Sequence, residues 1–513
     1  MWARHRLEWI TALLATVAGI VFLLLPPMGT DLAAQTARAE FFASHGFVPV
    51  DLRWYAGVEQ FGYSLVSQPI MALFGVRVTG VLAMIAGSVL LAVLFRRTGA
   101  ARPWAGALLG TLGFAGNLVS GRVTYGLGIC LGVAALVLLT VPRLRPLAGA
   151  AAFLAAATSP VAGLFTGLAG AALVLTGRYR DGLLLGVPAA LPLAVTSLLF
   201  GDGGWMNISR ADTVRTMLTG LVVAAFVPIR AVRFGALLSS AGVLAAALIH
   251  TPVGLNATRL AAMFGVPVLA AYATLAHRLV PRPGAVLAVL IGAVIWWQQP
   301  VVVGDLRDLG NPTVADSYFR PLRDQLASRP LTGRVEIPPT RAYWEAASMG
   351  PVPLARGWLR QADIDRNPLF FTVVPGASGT GVDLTPSSYE EWLHEEAVQY
   401  VAVPSAELSW PGRAEAAMVT AGLPYLSLIW SDADWKLYEV ASARPIVAAP
   451  ATLVSQDAAT LTFDAPAAGP VSLRIRHHRW FTASGGASVT ADGEWTTVRV
   501  PAPGRYTVTS SLF

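Results

Sequence analysis

Asp31 stands in Gly29-Thr30-Asp31-Leu32, directly after an apolar run that ends at Pro26-Pro27-Met28. A carboxylate just outside a membrane helix can act as a general base, taking the proton of an acceptor hydroxyl as it attacks a lipid-linked donor. A helix cap would use the same residue in the same place. Asp51 and Glu59 follow, interleaved with His45, Arg53, Trp54 and Tyr55. Acids among aromatics suit sugars, which stack on rings and donate their hydroxyls to carboxylates; an amphipathic surface helix would carry the same mixture. Arg122, in Ser120-Gly121-Arg122, and Arg259, closing His250-Thr251-Pro252-Val253-Gly254-Leu255-Asn256-Ala257-Thr258-Arg259, each lie in a short turn between apolar segments. An arginine so placed is costly unless it is paired or faces a polar cavity, and its planar fork matches phosphate oxygens. Asn256 is positioned to assist, while snorkelling or pairing with Asp202 is the plainer alternative. Farther on, Leu354-Ala355-Arg356-Gly357-Trp358, with Asp363 after it and Arg341, Trp344 and Glu345 before it, concentrates side chains typical of ligand contacts. Arg356 and Trp358 are the binding candidates there, against salt bridging and a buried tryptophan.

Other chemistries find no residues. Lys436 is the only lysine, so no Walker-type lysine holds a nucleotide and no Schiff-base lysine lies among the apolar segments. Cys130 is the sole cysteine, which excludes an internal disulfide and a thiolate cluster. Nothing in the stretch around Asp31 has metal-ligand spacing, and His477-His478, read as strand neighbours, point to opposite faces as a surface pair. No metal and no cofactor are expected.

The elements that must position these residues are membrane helices. The chain is 54% hydrophobic and 13% charged, with a mean hydropathy of +0.57, against about 25% charged in soluble proteins. Apolar runs bounded by Arg, Pro or Gly predict about eleven crossings, near 8–27, 78–95, 104–119, 124–141, 145–158, 160–176, 182–200, 213–229, 233–250, 257–276 and 284–300. The fifth and sixth are two short helices only if Thr158-Ser159-Pro160 is a turn. With that turn, Arg4, Arg6, Arg96, Arg97, Arg102, Arg143, Arg145, Arg178, Arg180, Arg230, Arg233, Arg278 and Arg282 fall on one side. The positive-inside rule makes that side cytoplasmic. The N-terminus is then inside, and everything after Val301 is outside. The +7 charge and pI of 9.8 thus reflect topology, and no nucleic-acid partner is expected.

The expected organisation is an α-helical polytopic membrane domain (1–300) with an external first loop (29–63). An extracytoplasmic α/β domain (301–443) and a small β-sandwich (444–513) follow. Runs such as 333–337, 399–403 and 435–440 read as strands, and 389–396 and 413–421 as helices. Alternation in 472–476 and the turns at Gly485-Gly486, Asp492-Gly493 and Pro503-Gly504 mark the sandwich.

A short first helix, an acidic outer loop, roughly eleven helices and an external α/β plus β region resemble the glycosyltransferase C (GT-C) superfamily. Gly121-Arg122-Val123-Thr124-Tyr125, the segment 251–259 and 354–358 are similar to conserved actinobacterial integral membrane proteins, most without an assigned activity. Arginine-rich, lysine-poor usage agrees with such a source. The resemblance implies plasma-membrane enzymes that use polyprenyl-phosphate sugars, with the catalytic acid in the first external loop, where Asp31 is the matching position. It implies transfer from a polyprenyl-phosphate donor to a cell-envelope glycan or glycolipid among membrane lipids. The alternative class is a transporter or a non-catalytic scaffold of an envelope-assembly complex. A transporter should show internal repeats and mid-helix charges, and a scaffold would tolerate loss of Asp31.

Overall fold

The computed structural model describes residues 5–275, 282–299 and 302–512; Arg4, Arg278 and Val301 lie outside them. The helical region runs α1 (Arg6–Leu24), α2 (Leu32–His45), α3 (Ser67–Phe74), α4 (Val76–Arg97), α5 (Pro103–Val119), α6 (Val123–Leu139) and α7 (Leu147–Thr158). It continues with α8 (Pro160–Leu175), α9 (Tyr179–Leu199), α10 (Arg210–Phe226), α11 (Arg230–Leu248), α12 (Arg259–Tyr272) and α13 (Pro283–Trp297). Among the described residues, five helical stretches are long and apolar enough to cross a bilayer: α1, α4, α9, α11 and Gly254–Tyr272. Leu183, Val187, Leu191 and Leu198 of α9 are exposed, as a lipid-facing stripe requires. This is a multi-pass membrane protein.

The stretch around Thr158 is two helices. Pro160 opens α8 at a position where its missing N–H costs nothing, and Ser159, in extended backbone, caps the helix by accepting from Ala162 N. Gly163 lets α8 fold back closely on Ala156, since a Cβ there would lie 2.6 Å from the Ala156 Cβ.

The helix ends sort into two faces. Arg97 binds Thr140 Oγ1 (2.6 Å), Arg102 binds Ala270 O (2.9 Å) and Arg145 approaches Asp181 (3.6 Å), gathering these arginines at one end. At the other end Leu65 N bonds Ala157 O (2.9 Å) and Met206 N bonds Thr251 O (3.0 Å). The C-terminal part rests on this second end: Trp358 donates to Thr30 O (2.9 Å), Gln361 to Pro252 O (3.3 Å) and Arg366 to Asp202 (3.2 Å).

Between α2 and α3, β1 (Val50–Asp51) and β2 (Val58–Glu59) pair antiparallel. Beyond the helices, β3 (Arg334–Glu336), β4 (Val398–Pro404), β5 (Leu426–Ser431) and β6 (Trp435–Val440) form a mixed sheet of order β3-β4-β6-β5, with β3 parallel to β4. Helices Asp316–Ala327, Pro386–Glu395 and Arg413–Ala421 accompany it. The last strands are β7 (Thr452–Gln456), β8 (Thr460–Ala465), β9 (Gly469–Arg476), β10 (Phe481–Ala483), β11 (Ser488–Asp492), β12 (Trp495–Val500) and β13 (Gly504–Ser510). They form two sheets, β10-β13-β8-β7 and β11-β12-β9, whose inner residues Phe463, Leu473, Ile475, Val498 and Val508 share one core.

The segment after α2 threads into both C-terminal cores. Val50 and Leu52 pack among the sandwich residues, while Trp54 and Tyr55 join Tyr318, Val335, Ile337 and Trp435. His478 is likewise no surface residue: it follows the end of β9 and is buried against Glu59 Oε1 at 3.3 Å.

Candidate functional site

The site is built where α1 hands over to α2. Gly29 has φ +103°, and a Cβ there would lie 2.4 Å from Ser120 C and Val119 O; Gly121 has φ +73°, and its Cβ would lie 2.5 Å from Leu32 N. Two glycines thus let two backbones touch, as only residues without Cβ can. Asp31 N donates to Ser120 O (3.2 Å), locking the turn after α1 against the turn after α5.

Asp31 occupies the N-cap position of α2, yet its side chain makes no capping hydrogen bond. Its carboxylate turns instead to two arginines: Oδ2 lies 3.4 Å from Arg122 Nε and 3.3 Å from Arg259 Nη2. These three residues come from separate places in the chain, the turn after α1, the turn after α5 and the first position of α12. The separations exceed the roughly 2.7–2.9 Å of tight charge-assisted bonds, and Oδ1 accepts no hydrogen bond from any described residue. Asp31 and both arginines keep part of their side chains open, at 13%, 25% and 17% exposure.

A ring of further groups surrounds this triad. Ser120 Oγ donates to Asp305 Oδ2 (2.6 Å) and Gly29 N to Asp308 Oδ2 (3.0 Å), both acids lying in the short helix Val303–Gly310 that covers the site. Burial pushes the Asp305 carboxyl up, with its Ser120 bond and Arg122 acting in the opposite sense. Arg341 reaches Asp308 at 3.4 Å. Gln35, one turn along α2, donates to Tyr63 Oη (2.7 Å) and accepts from Thr124 Oγ1 (2.6 Å). Burial raises the Tyr63 phenol, Asp31 adds to the rise and Arg38 opposes it. Trp358 meets the Tyr63 ring edge-on, centroids 6.0 Å apart, while its indole N–H holds Thr30 O next to Asp31.

Asp31, Arg122, Arg259 and Trp358 therefore share one place, and the other sequence candidates lie elsewhere. Asp51 is fully buried and paired with Arg53 at 2.7 Å. Trp54 is buried, its indole N–H on Ala346 O (3.1 Å), and Tyr55 donates to Gly357 O (2.6 Å). Glu59 accepts from Trp480 Nε1 (3.1 Å) and faces His478. Asn256 Nδ2 contacts Met206 Sδ at 3.3 Å. Arg356 is the centre of a buried ionic cluster with Asp363 (2.9 Å), Glu415 (3.0 Å) and Glu336 (3.6 Å). Burial and Glu415 hold the Glu336 carboxyl well above its ordinary range. Asp202 pairs with Arg366 (3.2 Å), not with Arg122. Among the described residues no group of His, Cys, Asp and Glu is arranged to hold a metal ion.

A carboxylate with one unbonded oxygen, beside two partly open guanidinium forks, can accept a hydroxyl proton and hold a phosphate. Asp305 and Asp308 escaped the sequence reading. Their signal was the acidic i,i+3 pair in Asp305-Leu306-Arg307-Asp308 just after the last apolar run.

No family model matches the chain, and no curated protein matches its sequence. Among solved structures it is similar to the arabinofuranosyltransferase AftD from Mycobacteria, at 16% identity and a TM-score of 0.46 over 90% of this chain. It spans 41% of that AftD chain. It is also similar to ArnT from Cupriavidus metallidurans in the apo state, at 13% identity and a TM-score of 0.45, covering 84% of this chain and 97% of that one. Both are distant, so the case for function rests on the chemistry of the site.

Proposed function

We propose that this GT-C-like membrane protein is a glycosyltransferase that inverts the anomeric centre of a polyprenyl-phosphate sugar and delivers it to a cell-envelope glycan or glycolipid. Asp31 is the general base, Arg122 and Arg259 hold the phosphate that leaves, and the C-terminal region presents the acceptor, with Trp358 bordering the site. In this reading α1 and α4 to α13 are eleven crossings, the arginine-rich end faces the cytoplasm, and the site opens on the outer face. The observation that carries it is Asp31 Oδ2 at 3.4 and 3.3 Å from two arginines of different helix starts, with no capping bond to explain its place. Complementation of a deletion strain tests it. Asp31→Asn should fail to rescue while accumulating in the membrane at the parent's level; full rescue moves a non-catalytic scaffold ahead. Topology is tested by fusions: a phosphatase at the C-terminus should be active and one in the 96–102 loop inactive.

A further inference from the structure

The two arginines are not vacant. Each points at the same atom, Asp31 Oδ2, at 3.4 and 3.3 Å, so a single carboxylate oxygen occupies the position that a bridging anion would take. Arg259 also lies over the Tyr125 ring, 5.3 Å from guanidinium to centroid, and Arg122 Nε is buried with no hydrogen-bond partner. Arg53 on Asp51 and Arg356 on Asp363 close to bidentate pairs at 2.7 and 2.9 Å, whereas Asp31 offers one oxygen to two guanidinium groups and leaves the Arg122 Nε–H without a hydrogen bond. Asp31 precedes α2, Arg122 precedes α6 and Arg259 opens α12, so the carboxylate can be released without unfolding a helix.

We propose that Asp31 is a resident stand-in for phosphate, masking Arg122 and Arg259 until a lipid-linked phosphate displaces it. The proposal deepens the transfer reading and takes from it the identity of the anion. Charge in the triad stays balanced through the reaction. Two arginines and one carboxylate leave one positive charge, which matches the monoanionic phosphodiester of a polyprenyl-phosphate sugar. In the transfer the acceptor oxygen bonds to the anomeric carbon and its proton passes to Asp31. The bond from that carbon to the phosphate oxygen breaks, its electron pair staying on the oxygen. The phosphate becomes a dianionic monoester as Asp31 becomes neutral, so two arginines face two negative charges. Asp31 is then both the base and the switch that hands its arginines to the leaving group.

Calorimetric titration of the purified full chain in detergent tests this, with farnesyl phosphate and inorganic phosphate as separate probes. Asp31→Asn keeps the shape and removes the competing charge, so it should bind farnesyl phosphate about fivefold or more tightly than the parent, in the range of ordinary coupling between sites. Adding Arg259→Gln should abolish that gain. Asp31→Ser serves as the second variant should the amide side chain disturb folding. Equal or weaker binding in both variants overturns the proposal and makes Asp31 a positioning residue for the arginines. A gain with inorganic phosphate as well assigns recognition to the phosphate group alone; a gain only with farnesyl phosphate adds the prenyl chain to what is read. A parent that performs no transfer while the variants still bind more tightly would defeat the glycosyltransferase reading and leave the exchange standing.

Discussion

Replacing Gly29 by alanine should disable the site without touching any group that does chemistry. The new Cβ would lie 2.4 Å from Ser120 C and Val119 O and 2.6 Å from Gly121 N. All three are backbone atoms, so no side chain can rotate away, and reaching ordinary contact requires the two turns to part by roughly 1 Å. Asp31, two residues on and tied to Ser120 O at 3.2 Å, moves with them. Its contacts at 3.3 and 3.4 Å already exceed tight charge-assisted distances, so a further shift away breaks them. The left-handed backbone adds about 1–2 kcal/mol of strain and overpacking about 1–3 kcal/mol, so the midpoint of thermal unfolding should fall by several degrees. A displacement of this size costs about 10² in rate when a reacting group is misplaced. The assay is transfer of labelled sugar alongside a melting curve, with Gly99→Ala as control. Gly99 also has positive φ (+70°), but nothing lies within 4 Å of its Cβ. The control should lose stability and keep its rate. If Gly29→Ala transfers at the parental rate, the packing of the two turns does not position Asp31.

Arg122→Lys and Arg259→Lys preserve charge but lose the two-point fork, so each should weaken farnesyl phosphate binding by about tenfold, one hydrogen bond to a charged group; parental affinity in both would remove phosphate from the account. Glu345 is buried beside Thr340, whose Oγ1 donates to it at 2.5 Å, and burial raises its carboxyl to about 7 from 4.5. The folded state therefore holds a proton that the unfolded chain has lost between these values, a contribution present in full at acidic pH and lost as pH rises through 7. Glu345→Gln should flatten that decline and raise stability at pH 8.5 relative to the parent, by about 3 kcal/mol at most; unchanged pH dependence of melting would count against a protonated Glu345. Arg356→Met strands the carboxylates of Glu336, Asp363 and Glu415 and should cost about 3–5 kcal/mol, read as easier cleavage around the β3-β4-β6-β5 sheet in limited proteolysis; unchanged protection would mean that the acids neutralise themselves.

What the sequence shows of the site follows from the membrane. Turns between apolar runs are short and few, so Asp31, Arg122 and Arg259 stand out by type and place, and the helices bring both arginines within 3.4 Å of the Asp31 carboxylate. The fate of Asp51, Trp54, Tyr55 and Glu59 is set by a distant segment: Glu59 meets His478 and Trp480, more than four hundred positions later. No local pattern announces such a cover, although Val50 and Leu52 alternate with Asp51 and Arg53 as a buried strand would. Arg356 was visible as an unusual residue, but its three acids come from separate elements that only the folded sheet assembles. The break at Ser159-Pro160 was legible because a cap followed by proline has one cheap solution. Asp305 and Asp308 showed only as an acidic pair three apart; that they fold back onto Ser120 and Gly29 was not legible, because the polar stretch around them has no period to betray which face they present.

The most direct test is transfer by purified protein in a bilayer. The parent and Asp31→Asn would each be given a panel of tritiated polyprenyl-phosphate sugars and an envelope glycan extract, and the label followed into glycan. The account predicts transfer by the parent from at least one donor and a loss of about 10² to 10⁴ in the Asn variant, the usual worth of a general base. Transfer by the Asn variant at the parental rate would contradict it.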